Sequence, residues 1–256
     1  MSKSALAGLP EATLGVFTSI RSAPGISSFT LIGGTALALR LCHRLSEDLD
    51  FVTVGSLDQS RIIQVLEHLH RAGHKKFTKI ENPATKLEFE SHGAHLGDYS
   101  QGWRVDGVKL QFFAKRLPTV EAQHAYEARM GAAPVPGVDT GLIQVATEAF
   151  IFATKAQVLA ERLVSRDLFD VRTLIETGRY TFADLLAHAE AMGASPDLVR
   201  ERLVNGPMNK NDPPVNRVHG AAVDVASLRH WFVELVNEHE RAVAMQYAAV
   251  TPTPKA

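Results

Sequence analysis

The chain has 256 residues, of which 45% are hydrophobic and 21% charged, and its formal net charge is −1 at pH 7. This composition is that of a globular protein with one large or two small domains, and it gives no global basic field for nucleic acid. The single cysteine, Cys42, excludes an internal disulfide and fits a reducing cytoplasm, and the chain has no apolar run long enough to predict a membrane span.

The first half of the chain mixes predicted helices with predicted strands. In chain order these are a helix at 11–22, a strand at 29–32, a helix with Thr35 as its N-cap, a strand at 48–54, a helix at about 58–72, strands at 76–81 and 85–91, and a hairpin of 103–105 with 108–113 turning at Asp106-Gly107. These elements predict a mixed sheet flanked by helices over residues 1–130.

The second half of the chain follows a Pro- and Gly-rich connector at 131–141 and is almost entirely helical. Its predicted helices are 147–164, 166–177, 181–192, 196–204 and 224–245. We therefore predict an α+β protein, with a second, helical domain at 142–256 and an active-site cleft between the two domains.

Two adjacent glycines, Gly33 and Gly34, stand where a predicted strand passes into a helix. Glycine permits a sharp turn and close approach of a ligand to the backbone, and the N–H groups of a helix N-terminus attract phosphate. Thr35 would cap this helix or bind a phosphate oxygen. Taken alone, however, the two glycines also fit an ordinary strand-to-helix turn.

Asp48 and Asp50 alternate on the next predicted strand, which places both carboxylates on one face and Leu49 and Phe51 on the other. Two neighbouring negative charges repel each other unless a cation lies between them, and magnesium prefers carboxylate oxygens, water and phosphate. A solvent-facing strand edge is the alternative explanation.

The two features together resemble the nucleotidyltransferase superfamily of DNA polymerase β, and in detail the AbiEii/AbiGii toxin family. The residues that carry the resemblance are Gly33, Gly34, Thr35, Ala36, Leu37, His43, Arg44, Ser46, Asp48, Leu49, Asp50 and Phe51. The resemblance implies a nucleotidyltransferase-type fold, with the metal on Asp48 and Asp50. It also implies nucleotide binding by Gly33, Gly34, Thr35, Arg44 and Ser46.

A second motif resembles the same family and consists of Lys155, Arg162, Arg166, Asp167 and Asp170. The resemblance assigns Lys155 to the triphosphate and Asp167 to the active centre. Asp167 in a first helical turn is also explained by the helix dipole alone, and Asp170 would otherwise pair with Arg162 or Lys155.

The sequence lacks the third carboxylate that many members of the superfamily carry. Its position falls on the strand VKLQFF and is occupied by Gln111, a poor magnesium ligand that cannot act as a base. Glu88 and Glu90, alternating on the predicted strand 85–91, are candidate substitutes, and Asp167 is another.

The resemblance implies an enzyme that transfers a nucleotide from an NTP to a hydroxyl, with magnesium, or alternatively manganese, as its metal. The expected acceptor is RNA, such as the 3′ end of a tRNA, and the expected partner is a cognate antitoxin. A local basic patch for RNA would comprise His43, Arg44, Lys75, Lys76 and Lys79. A small-molecule or protein acceptor, or a catalytically degenerate nucleotide-binding module, are the alternatives.

Overall fold

The computed structural model describes residues 6–209 and 211–250, so residues 1–5 and 251–256 of the predicted domains lie outside the described residues. The described chain forms ten α-helices and six β-strands. In chain order they are α1 (Glu11–Ile20), β1 (Thr30–Ile32), α2 (Gly33–Leu41), β2 (Leu49–Val54), α3 (Gln59–Arg71), β3 (Phe77–Ile80), α4 (Pro83–Ser91), β4 (Ser100–Val105), β5 (Val108–Lys115), α5 (Val120–Met130), β6 (Gln144–Val145), α6 (Glu148–Glu161), α7 (Ser165–Glu176), α8 (Phe182–Ala191), α9 (Pro196–Asn205) and α10 (Val225–Val250).

The chain divides into two compact units, Met1–Ile151 and Phe152–Ala256. The first unit contains one sheet with the strand order β3-β4-β5-β2-β1-β6. Strand β1 is antiparallel to β2 and parallel to β6, while β2 is parallel to β5. The sheet is therefore mixed and flanked by helices, and the second unit is helical, which confirms the predicted α+β class. The predicted domain bounds, 1–130 and 142–256, stay predictions.

One face of the sheet forms the core of the first unit. Leu49 and Phe51 of β2 are fully buried, as their alternation with the two aspartates predicts. The ring of Phe112 on β5 stacks on that of Phe51 at a centroid distance of 5.5 Å and meets the edge of Phe29 at 5.0 Å. The apolar residues of β2 thus hold the strand in one register, and Asp50 must point to the opposite face.

The predicted hairpin at Asp106-Gly107 is confirmed. Both residues have positive φ, 47° and 95°, as a tight two-residue turn between twisted antiparallel strands requires. The backbone N–H groups of Lys76 and Lys75 donate to the Asp106 carboxylate. These bonds, together with the one to the His74 ring, hold the pKa of Asp106 below its ordinary value. Asp106 is therefore a turn residue, as expected.

The predicted strand at 85–91 is wrong, because this segment is helix α4. The Asn82 side chain accepts hydrogen bonds from the N–H groups of Ala84 and Thr85, and Pro83 occupies the first turn. This N-cap outweighs the alternating pattern that favoured a strand. Glu88 and Glu90 are two residues apart on a helix, about 200° around its axis, so they do not share a face as candidate replacements for the third carboxylate.

Two elements of the first unit, α5 and β6, are absent from the sequence-based predictions. Strand β6 has only two residues and pairs in parallel with β1. Helix α5 buries only Met130, so its sequence carries little apolar periodicity.

The five segments predicted to be helical after the connector are helices α6 to α10. The middle of α10 packs through Leu228, Phe232 and Val236, which are at most 2% exposed. None of the helices in residues 6–209 and 211–250 combines the length and hydropathy needed to cross a membrane.

Candidate functional site

The turn from β1 to α2 brings a carboxylate against a glycine backbone. Gly33 has a φ of +71°, in the left-handed region that favours glycine, and a Cβ at this position would lie 3.4 Å from Oδ2 of Asp50. Ile32, the N-cap of α2, provides no side-chain cap. The first turn of α2 therefore presents its N–H groups beside the Asp50 carboxylate, where a phosphate with a bound cation would find both donors and negative charge.

The second glycine is required by a buried arginine. A Cβ on Gly34 would overlap Nη2 of Arg44 and would lie 3.2 Å from its Cζ and 3.3 Å from Oγ of Ser46. Arg44 is only 2% exposed, and its Nη1 donates to the carbonyl of Leu45 at 2.9 Å. Arg44 thus packs against the turn at Gly34 in the interior of the protein. Its predicted place in an exposed basic patch for RNA is therefore wrong. A contact between Arg44 and a nucleotide stays a prediction.

Alanine at Gly34 and alanine at Gly15 are expected to change stability in opposite directions. Both glycines lie in helices, and Gly15 has open space where a Cβ would be added. Gly15→Ala should stabilise the fold by up to about 1 kcal/mol through helix propensity. Gly34→Ala should destabilise it by about 2 kcal/mol, because the buried Arg44 guanidinium cannot move into solvent without breaking its bonds.

Urea unfolding of the two variants and the wild type measures this difference. Gly15→Ala is the control for the general effect of alanine in a helix. Stabilisation by both variants would show that the Arg44 side chain moves aside at little energetic cost. It would contradict the account of Gly34.

Thr35 lies inside the first turn of α2 and faces inward, so its predicted role as the N-cap is wrong. Its side chain is 2% exposed, and its hydroxyl donates to the carbonyl of Asp48 and lies 2.8 Å from Oγ of Ser46. The backbone N–H of Ser46 in turn donates to the carbonyl of Gly8 at 2.8 Å. Thr35 and Ser46 therefore hold the backbone of Asp48 in place immediately before β2.

Asp48 and Asp50 stand at the start of β2, both partly exposed. The strand register pairs Asp50 with Ile32 of β1 on one side and with Gln111 of β5 on the other. The neighbour of Asp50 on the parallel strand is thus an amide, in the position considered for the third carboxylate. Within the described residues, no group of three or more His, Cys, Asp or Glu side chains is arranged to hold a metal.

The donor set of Asp48 and Asp50 fits magnesium better than metals that need several protein ligands. Magnesium is commonly held by one or two carboxylates, with its remaining positions taken by water and substrate phosphates. The helix N-terminus beside Asp50 is the feature that would place such phosphates next to the carboxylates.

The second motif forms a buried ionic cluster in the helical unit. Nζ of Lys155 on α6 lies 2.5 Å from Oδ1 of Asp167 and 2.9 Å from Oδ2 of Asp170, both on α7. Lys155 and Asp167 are 8% and 6% exposed and Asp170 is fully buried. Of the two partners considered for Asp170, the structure shows the pairing with Lys155.

The two carboxylate oxygens of Asp167 differ in their partners, since Oδ1 contacts Lys155 and Oδ2 faces Arg162. Nη2 of Arg162, whose side chain is 64% exposed, lies 3.4 Å from Oδ2 of Asp167. That distance is an ion-pair contact without hydrogen-bond geometry, and Oδ2 is buried without a hydrogen-bond partner in the described part of the chain. Two buried carboxylates thus share the buried Lys155 ammonium, with an exposed guanidinium at the rim.

Comparison with known proteins identifies the family of this chain. A family model described as "Nucleotidyl transferase AbiEii toxin, Type IV TA system" matches residues 20–222. The chain belongs to this AbiEii family, which confirms the predicted family. The matched range includes both motifs.

Individual relatives are more distant. The "Uncharacterized protein aq_aa25" of Aquifex aeolicus (strain VF5) is 27% identical over 164 residues, which cover 62% of this chain and 63% of that protein. The chain thus spans less than two thirds of the length of this relative. The solved structure of MenT4, the nucleotidyltransferase toxin Rv2826c from Mycobacterium tuberculosis H37Rv, is similar with a TM-score of 0.49 and 16% identity, covering 91% of this chain and 84% of that one.

Proposed function

We propose that the protein transfers a nucleotide from an NTP to an acceptor hydroxyl. The observation that carries the proposal is the close approach of the Gly33 turn to the Asp50 carboxylate, because it sets a helix N-terminus that could bind phosphate beside a group that could bind a metal. Membership of the AbiEii family supports the same reaction class.

In the proposed reaction the acceptor oxygen attacks the α-phosphorus, the bond to the bridging oxygen breaks, and pyrophosphate leaves. Asp48 and Asp50 would hold magnesium, with manganese as the alternative; the ion, when bound, would offset the negative charge that develops on the phosphates. The backbone N–H groups of Gly33, Gly34 and Thr35 would bind the triphosphate, and the buried hydroxyls of Thr35 and Ser46 would position Asp48.

The hydroxyl proton needs an acceptor, and Gln111 is not one because an amide is not basic at neutral pH. We propose Asp167 for this role and Lys155 for triphosphate neutralisation, on the resemblance of their motif. Their mutual ion pair supports functional coupling, because a phosphate bound by Lys155 would compete with Asp167 for the same ammonium group.

We further propose an RNA acceptor, such as a tRNA 3′ end, and a cognate antitoxin as partner. The type IV toxin–antitoxin description of the family supports the antitoxin. The experiment is to incubate the full chain with each of four α-labelled NTPs, magnesium and total tRNA. Label should enter RNA with at least one NTP, and EDTA should prevent it.

Two parallel incubations separate the alternatives. Replacing tRNA by the protein alone, or by a pool of small hydroxyl compounds, tests acceptors of other kinds. NTP binding with no label transfer to any acceptor would overturn the proposed activity and favour a degenerate nucleotide-binding module.

A further inference from the structure

The first unit contains an apolar groove between helix α3 and the strands β3 and β4, which we call the α3–β3 groove. Its volume is about 600 Å³, and its lining includes Leu66, Glu67, His70, Arg71, Phe77 and Trp103. The volume lies in the range of ligand sites, and apolar atoms form most of the lining. The ring of His70 meets that of Phe77 edge-on at a centroid distance of 6.1 Å, so helix and strand both contribute ring surface.

The strand register separates this groove from the proposed metal site. Trp103 of β4 is paired with Leu110 of β5, which is in turn paired with Leu49 of β2. Directly paired residues share a face of a sheet, so Trp103 lies on the face of Leu49, while Asp50 points to the opposite face. The groove is therefore a site of its own and shares no wall with the turn at Gly33.

Strand β3 gives the groove an open edge. It is the first strand in the order of the sheet and, among the described strands, pairs with β4 alone. In an antiparallel pair, alternate residues direct their N–H and C=O groups away from the partner, and at an edge these groups can pair with a further strand. Thr78 and Lys79 are exposed, so β3 reaches the surface. A strand added here would place alternate side chains on the face of Phe77.

The charges at this edge favour an acidic ligand. Four exposed cations lie in the groove lining or within and just before β3, namely Arg71, Lys75, Lys76 and Lys79. Of the nearby carboxylates, Glu81 accepts a hydrogen bond from Lys79, which holds the pKa of Glu81 below its ordinary value, and Asp106 is bonded to His74. Because these carboxylates already have partners, the surface keeps an excess of positive charge.

Lysines on an edge strand commonly keep identical copies from pairing edge to edge. That role accounts for Lys76 and Lys79, and it disfavours a second copy of this chain as the occupant, because the same cations of both copies would meet. It does not account for the apolar groove beside the edge. Apolar concavities with a polar rim are typical of interaction sites.

We propose that the α3–β3 groove and the open edge of β3 bind an acidic, extended segment of a partner protein. The segment adds a strand beside β3, an apolar side chain enters the groove next to Phe77 and Trp103, and carboxylates lie close to Lys75 and Lys76. The inference concerns the face of the sheet opposite to Asp50, and it does not depend on nucleotidyl transfer.

The test uses end-capped peptides of the sequence Glu-Val-Glu-Phe-Glu-Val-Glu, with Phe, Leu, Tyr or Trp at the centre, titrated into the full chain by calorimetry. At least one of the four should bind saturably. Three control peptides carry Lys for every Glu, Ser for the central Phe, or methyl groups on all internal backbone nitrogens. Each control should bind at least tenfold more weakly, because it reverses the charge, removes the anchor or prevents strand pairing.

Two sets of variants locate the peptide on the protein. Leu66→Ser removes an apolar wall of the groove, and Ile63→Ser is its matched control, since Ile63 lies on the same helix, is 55% exposed and is outside the lining. Leu66→Ser should weaken binding about tenfold, and Ile63→Ser less than twofold. The double variant Lys75→Glu, Lys76→Glu should bind the Glu peptide about tenfold more weakly and the Lys peptide more tightly than the wild type does. Circular dichroism verifies that each variant is folded.

A tryptophan signal provides an independent readout of the groove. The chain has two tryptophans, so a Trp231→Phe background leaves Trp103 alone, and the Phe-centred peptide should change its fluorescence. No saturable binding by any of the four peptides overturns the proposal, and so do equal losses in Leu66→Ser and Ile63→Ser. Full binding of the methylated peptide overturns the strand addition. A ten-nucleotide single-stranded RNA that changes the Trp103 signal where the peptides do not would assign the groove to nucleic acid instead.

Discussion

Asp50→Asn is expected to lower the rate of nucleotidyl transfer about 1000-fold at saturating magnesium, corresponding to about 4 kcal/mol of lost transition-state stabilisation. The substitution preserves the shape of the side chain beside Gly33 and removes the charge that the proposed magnesium ion would require. The measurement is single-turnover label transfer from the preferred NTP across a magnesium titration. Asp48→Asn should behave in the same way.

The neighbouring acidic residue provides the control. Glu47 is exposed and immediately precedes Asp48, so Glu47→Gln changes the local charge by the same amount without touching the proposed metal ligands. Its transfer rate should stay within about twofold of the wild type, as is usual for a surface change. An Asp50→Asn protein that retains more than a tenth of wild-type activity would remove Asp50 from the metal site.

The parts of the proposed site that depend on short stretches of sequence could be predicted. The strand-to-helix position of Gly33 and the alternation of Asp50 with buried Leu49 and Phe51 follow from short-range patterns, and the structure shows both. The absence of a carboxylate at Gln111 could be expected as well, because the polar position on the neighbouring strand could be located.

Contacts between distant segments could not be read from the sequence in the same way. Thr35 has the residue type of a helix cap but lies within the helix, where the carbonyl of Asp48 offers its hydroxyl a buried partner. Arg44 belongs to the family motif, yet only the three-dimensional structure shows that it fills the space beside Gly34. Both outcomes depend on the loop that precedes β2 packing against α2.

Helix α5 and strand β6 show why part of the fold could not be predicted from the sequence. Strand β6 has only two residues and α5 is mainly exposed, so neither element has a clear apolar period. Thr30 and Gln144 become neighbours through parallel pairing between segments more than a hundred residues apart. No local pattern predicts such a pairing.

Lys155→Met is expected to destabilise the helical unit by about 3–5 kcal/mol, because it leaves Asp167 and Asp170 buried together without their shared cation. A Trp103→Phe background leaves Trp231 of α10 as the remaining tryptophan in the chain. Urea unfolding followed by its fluorescence then reports on the unit that contains the cluster. Arg200→Met, which removes an exposed ion pair with Asp197 in the same unit, should cost less than about 1 kcal/mol.

The triple variant Lys155→Met, Asp167→Asn and Asp170→Asn distinguishes stability from catalysis. Removing all three charges together avoids an unpaired buried ion, so this protein should be more stable than Lys155→Met alone. If Lys155 and Asp167 act in the reaction, the triple variant will fold and still fail to transfer label. Wild-type transfer by the folded triple variant would instead assign the cluster a purely structural role, and the proton acceptor would then have to be sought among Asp48, Asp50 and water.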